Sequence, residues 1–138
     1  MIPDIAAALN ARLGAWADNY PIPFVLDNIA IKDYPKGAYL TAHDLPATPQ
    51  TLDMGLTCHV FTGIYQVNVV LPAGSGTARG RNLARQVAGV FPEGQSIEGD
   101  GFTCWITALP AINPGVQNPR KTAYSIPISI RYRADISS

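Results

Sequence analysis

The sequence predicts an α+β fold, a mainly antiparallel sheet with two helices packed on one face. Three observations carry that prediction. Two segments repeat apolar residues at helical period. Two long segments alternate apolar and polar residues at strand period. The last long strands follow one another without a crossover helix. With 138 residues, 47% of them apolar, and no internal repeat or composition break, the chain is expected to form one domain over residues 1–138.

The first helix is expected over Asp4 to Asn19. Ile5, Leu9, Leu13 and Trp16 form one stripe with alanines between them, and an acid at the start suits the positive end of the helix dipole. Tyr20-Pro21-Ile22-Pro23 stops it, because the residue before a proline is pushed out of helical conformation. Two short extended runs follow, Phe24 to Ile31 and Ala38 to Thr41, separated by the turn residues Asp33, Pro35 and Gly37. Ala42 to Gly55, with two prolines and weak periodicity, reads as a long loop of functional length.

Thr57 to Leu71 reads as a strand with Phe61, Tyr65, Val67, Val69 and Leu71 on one face. Gly63 interrupts that face, and a bulge is expected there. The turn Pro72 to Thr77 leads into a second helix capped by Thr77 or Ser75, with Leu83, Val87 and Val90 or Phe91 as its apolar stripe. Pro92-Glu93-Gly94 ends it. The run around Phe102, Cys104, Ile106 and Ala108 reads as a strand covered on both faces, and Pro110 to Lys121, with three prolines, as a loop. Tyr124, Ile126, Ile128, Ile130 and Tyr132 then alternate with Ser125, Pro127, Ser129, Arg131 and Arg133. Pro127 has no N–H for a ladder, so this strand is expected at a sheet edge or bulged.

Charge is scarce. Asp, Glu, Lys and Arg make up 14% of the chain, where a typical domain carries roughly a quarter, so about 15 charges are missing. The gap is concentrated in Met54 to Ala78 and Gly101 to Pro119, which hold none. Neither disorder, which pairs high net charge with low hydrophobicity, nor a dedicated nucleic-acid binder, which is normally basic, fits a net charge of zero. The Met54 to Ala78 run is broken by Gln66, Asn68, Pro72 and glycines, so it reads as a strand and loop and no membrane span is expected. The N-terminus lacks a basic region followed by an apolar stretch, and synthesis in the cytosol is the expectation.

No residue set reads as catalytic, cofactor-binding or metal-binding. Gly74-Ser75-Gly76-Thr77-Ala78-Arg79-Gly80 follows a strand and opens a helix, but Arg79 stands where a dinucleotide turn needs its third glycine. It reads as a plain strand-to-helix turn. Cys58-His59 offers too few ligands for a metal, and Cys58 and Cys104 read as buried free thiols. His43 and Asp44 fall in the expected long loop, with no nucleophile turn to serve. Arg79, Arg81 and Arg85 are the only charges between Asp53 and Glu93. They form either a solvated helix face or a contact with acidic protein or passing nucleic acid. Arg131 and Arg133 are candidates to extend such a patch.

Several pieces in order resemble the tail terminator family of long-tailed bacteriophages. These are Asp27-Asn28, Ala38-Tyr39-Leu40, Thr62-Gly63-Ile64-Tyr65-Gln66-Val67-Asn68-Val69, Pro72-Ala73-Gly74-Ser75-Gly76, the helix ending in Phe91, and Tyr124 to Tyr132. The resemblance implies a structural, non-enzymatic virion protein that needs no cofactor. Its subunits would form a six-membered ring on the head-proximal end of the tail tube. That ring would stop tube polymerisation and meet the tube protein and a head completion or connector protein, while DNA transits the lumen without sequence-specific binding. It would be made in the host cytoplasm and reside in the virion tail. A closed ring uses two different patches per subunit, and Arg79, Arg81, Arg85, His43, Asp44, Arg131 and Arg133 are the candidate interface or lumen residues. A neighbouring head-to-tail joining protein, a tube subunit and a small-molecule-binding domain are the competing readings.

Overall fold

The computed structural model describes residues 4–20, 22–26, 38–47, 50–51, 58–72, 77–99, 101–117 and 123–137. Helix α1 spans Ile5–Asn19, and Asp4 caps it by accepting a 3.0 Å hydrogen bond from the Ala7 N–H. Such a cap satisfies one of the four free donors at a helix start. Strand β1 is Phe24–Leu26, β2 Tyr39–Pro46, β3 Gln50–Thr51 and β4 Cys58–Pro72. Helix α2 is Thr77–Val90, followed by β5 Ser96–Gly99, β6 Phe102–Ile106, β7 Ala111–Ile112, β8 Val116–Gln117 and β9 Ala123–Ser137. Thr77 is thus the first helical residue. The expected cap Ser75, the Gly74 and Gly76 turn, Asp27-Asn28 and the Asp33 to Gly37 turn lie outside the described residues.

The sheet runs β1-β2-β4-β9-β6-β5, with β3 beside β4 and with β7 and β8 beside β9. Only β1 and β2 run parallel; the other pairs are antiparallel. The spine is the β4–β9 ribbon, paired without interruption from Cys58↔Ser137 to Pro72↔Ala123. At ordinary strand rise, 15 residues make it about 50 Å long.

One face of this sheet carries Leu40 and Ala42, Tyr65, Val67, Val69 and Leu71, and Ile126, Ile128, Ile130 and Tyr132. Both helices cover that face, α1 with Ile5, Leu9, Leu13 and Ala17, and α2 with Leu83, Ala84 and Val87. The two layers share one apolar core, which is the α+β arrangement expected. Gly80 lets α2 lie close: a Cβ there would come within 2.8 Å of Ile126 Cδ1. Arg12 on α1 joins the helices, its Nε donating to the Val90 carbonyl at 2.6 Å. That carbonyl is among the last of α2, where a cation is favoured.

Five expectations are corrected. Ala42 to Gly55 is not a loop throughout: residues through Pro46 belong to β2, Ala47 N–H bonds to the Thr62 carbonyl at 2.9 Å, and Gln50–Thr51 is β3. Gly63 makes no bulge, since β4 passes through it in register, with Pro46 on one side and Tyr132 on the other. The Phe102–Ile106 strand is open on one face, with Trp105 47% exposed, and the expected loop beyond it contains β7 and β8.

Pro127 is the fifth. It lies in β9, a central strand, with β4 on one side and β6, β7 and β8 on the other. Its carbonyl accepts from Asn113 N–H at 2.9 Å. In an antiparallel strand a residue's N and O point to the same neighbour. The missing donor therefore faces the interval between Ile112↔Ile128 and Val116↔Ser125, where the ladder is already broken.

Candidate functional site

The face of the sheet turned away from the helices is the candidate site. Register places Tyr39, Thr41, His43 and Leu45 of β2 beside Val70, Asn68, Gln66 and Ile64 of β4, and these beside Ser125, Pro127, Ser129 and Arg131 of β9. Val60 and Val70, towards its two ends, are buried but stand apart from the main core. Between them Thr41, His43, Gln66, Asn68, Pro127 and Ser129 are half-buried. They hold one another: Asn68 Nδ2 donates to Thr41 Oγ1 and Gln66 Nε2 to Asn68 Oδ1, both at 3.3 Å, and Asn113 Nδ2 donates to Ser129 Oγ at 3.1 Å. Among the described residues this part of the face carries no Asp, Glu, Lys or Arg. The scarcity of charge in the sequence is therefore not only a property of the core.

Charge returns at one end of the same face. Arg131, Arg133 and Asp135 are exposed there, and Arg133 Nε donates to Asp135 Oδ1 at 2.7 Å. Arg131 pairs in register with Ile64, which pairs with Leu45; Arg133 pairs with Thr62 and with Trp105. An open groove of about 470 Å³ runs over these rows from Leu45 to Thr107. Along the adjoining edge Leu109 and Val116 are also exposed, at 74% and 60%.

The remaining candidates are separated by the sheet. Arg79, Arg81 and Arg85 are exposed on α2, on the helix side, so Arg131 and Arg133 do not extend their patch. His43 and Asp44, adjacent in sequence, point to opposite faces of β2. His43 lies on the open face beside Gln66, while Asp44 turns to the helix side and accepts from the Tyr132 hydroxyl at 2.6 Å.

Asp44 sits in a half-buried polar cluster on the helix side that the sequence did not reveal. Tyr65, opposite Asp44 in register, donates its hydroxyl to Asn10 Oδ1 and stacks at a tilt on Phe91, ring centres 5.7 Å apart. Burial, then the Asp44 carboxylate, pushes the Tyr65 hydroxyl well above its ordinary range. Burial and then the Asp44 hydrogen bond do the same to Tyr132. Burial and Asp44 raise the Cys104 thiol to about 11, against a lowering contribution from a backbone hydrogen bond at Arg133. A thiol so placed stays protonated at neutral pH and is a poor nucleophile. The signal for this cluster was the period-two phase of Leu40, Ala42 and Asp44. Among the described residues no three His, Cys, Asp or Glu side chains are grouped as a metal site needs.

A family model described as phage tail terminator protein matches residues 4–132. Among solved structures, one carrying only a serial identifier as its name aligns with a TM-score of 0.78 at 25% identity, covering 94% of this chain and 92% of its own. No curated protein matches the chain.

Proposed function

Because the chain belongs to the phage tail terminator family, a family of structural tail proteins, we propose that it caps the tail tube as a ring of identical subunits. The ring stops tube growth and offers its other axial face to a head completion or connector protein, with DNA passing through the lumen. The working site is then the virion tail at its head-proximal end, and no chemistry is asked of the protein. Among the described residues no helix is long and apolar enough to cross a membrane.

The observation that carries this reading beyond the family match is the open sheet face. The central part of this face, half-buried, hydrogen-bonded and without charge among the described residues, beside an edge with exposed Leu109 and Val116, is poorly suited to remain in water. Centres of protein interfaces are depleted in charge in the same way. A head-to-tail ring needs two unlike patches, and the open face and the arginine-bearing side of α2 are unlike.

Electron microscopy and light scattering of the purified protein test the assembly. Six-fold rings support the proposal; a particle of any other closed symmetry contradicts it.

A further inference from the structure

We infer that the groove at the charged end of the open face is a docking site for a partner segment that presents a carboxylate beside an apolar side chain. Three features of that end converge. Leu45, 48% exposed, and Ile64 line one flank, and exposed Trp105, just outside the lining, pairs in register with Arg133 at the groove's other side. Tryptophan and arginine together are the residue types that dominate binding hot spots. Arg133 already has a carboxylate in Asp135, whereas Arg131, in the same groove, has no ion pair or side-chain hydrogen bond among the described residues. One unpaired guanidinium between apolar flanks calls for one carboxylate and apolar neighbours, since Arg binds carboxylates in a fixed two-pronged geometry.

Nucleic acid fits this groove less well. Phosphate backbones are met by rows of unpaired cations, and here Asp135 offsets half of the positive charge. From β2 across β4 and β9 to Thr107 the groove spans about 14 Å, the reach of some four extended residues. The groove lies at the charged end of the open face, beyond the uncharged central part that the ring reading uses, so failure of the inference leaves the tail-capping proposal standing.

The chain holds two tryptophans, and only Trp105 lies on this face; Trp16 packs against the helix-side core and Tyr20. Titration of the full chain with an octapeptide of alternating glutamate and valine, read by the two indole N–H resonances, tests the site. The Trp105 resonance should move saturably while that of Trp16 stays, and a lysine–valine octapeptide should move neither. Arg131→Glu should weaken binding at least tenfold without lowering the melting temperature, and Leu45→Glu supplies the same readout independently. The inference is overturned if Trp105 does not respond, if the lysine peptide or a DNA duplex moves it as well, or if both variants bind like the parent. It is also overturned if Trp105 shifts with protein concentration alone, which would make a second copy the occupant.

Discussion

The Tyr132 hydroxyl reaches across the backbone of Gly63 to donate to Asp44 Oδ1 at 2.6 Å, tying β9 to β2 over the intervening β4. A Cβ at Gly63 would come within 2.8 Å of both Tyr132 Cζ and the Leu45 carbonyl. The glycine is needed for this crossing, the device by which an aromatic ring covers a bare stretch of strand.

Removing the hydroxyl in Tyr132→Phe leaves a half-buried carboxylate short of a donor, and should cost about 1–3 kcal/mol of unfolding free energy. Gly63→Ala adds crowding and should cost at least about 2 kcal/mol. Urea denaturation of both singles and the double checks this. The two losses should not add, because in the Phe background the bond that the alanine disrupts is already gone.

Arg12 closes the end of α2 from a different helix. Arg12→Ala should destabilise the fold by about 1–2 kcal/mol, a charged hydrogen bond plus a dipole contribution, measured by denaturant midpoint at unchanged m-value.

Alkaline pH should weaken the fold through Cys104 and the two buried tyrosines. Between the ordinary thiol pKa of 9.0 and the folded value of about 11, the unfolded thiol loses its proton while the folded one keeps it. The unfolded state then binds fewer protons, so stability is flat below pH 9 and falls as pH rises through this window. Tyr65 and Tyr132 continue the fall above pH 10. Cys104→Ala should flatten the pH 9 to 10 portion of a melting-temperature profile and leave the steeper part above it.

Charge reversal at Arg81 and Arg85, both exposed on α2, should impair tail completion without lowering the melting temperature of the protein. Infectious particles at normal yield from the double reversal would remove these residues from the assembly surface.

Gln66→Lys places a charge in the middle of the open face, where register sets Gln66 between His43 and Ser129. The change removes one long 3.3 Å hydrogen bond to Asn68 and should cost about 1 kcal/mol, so the monomer should still fold. Sedimentation should show lost or weakened assembly.

Periodicity identified the helices and long strands because the helix-side core is apolar: the Ile5 to Leu13 and Leu83 to Val87 stripes and the Tyr124 to Tyr132 alternation all meet there, though Ala17, and not the expected Trp16, completes the buried stripe of α1. Composition misled where it was weighed above phase. Asp44 and two prolines made 42–55 read as a loop, yet Leu40, Ala42 and Asp44 continue one face of β2. Pro127 argued for an edge, but its missing donor faces the neighbouring ladder where pairing is interrupted between β7 and β8. The candidate arginines were legible as charges in a sparse background; their division between the two sides of the sheet was not, because only strand register sets it.

The most direct test of a tail-capping role is electron microscopy of lysates from phage in which the gene for this chain is disrupted. Overlong tails without heads are predicted, because tube growth would lack its stop and its joining surface. Tails of normal length attached to heads, or no tails at all, would contradict the account.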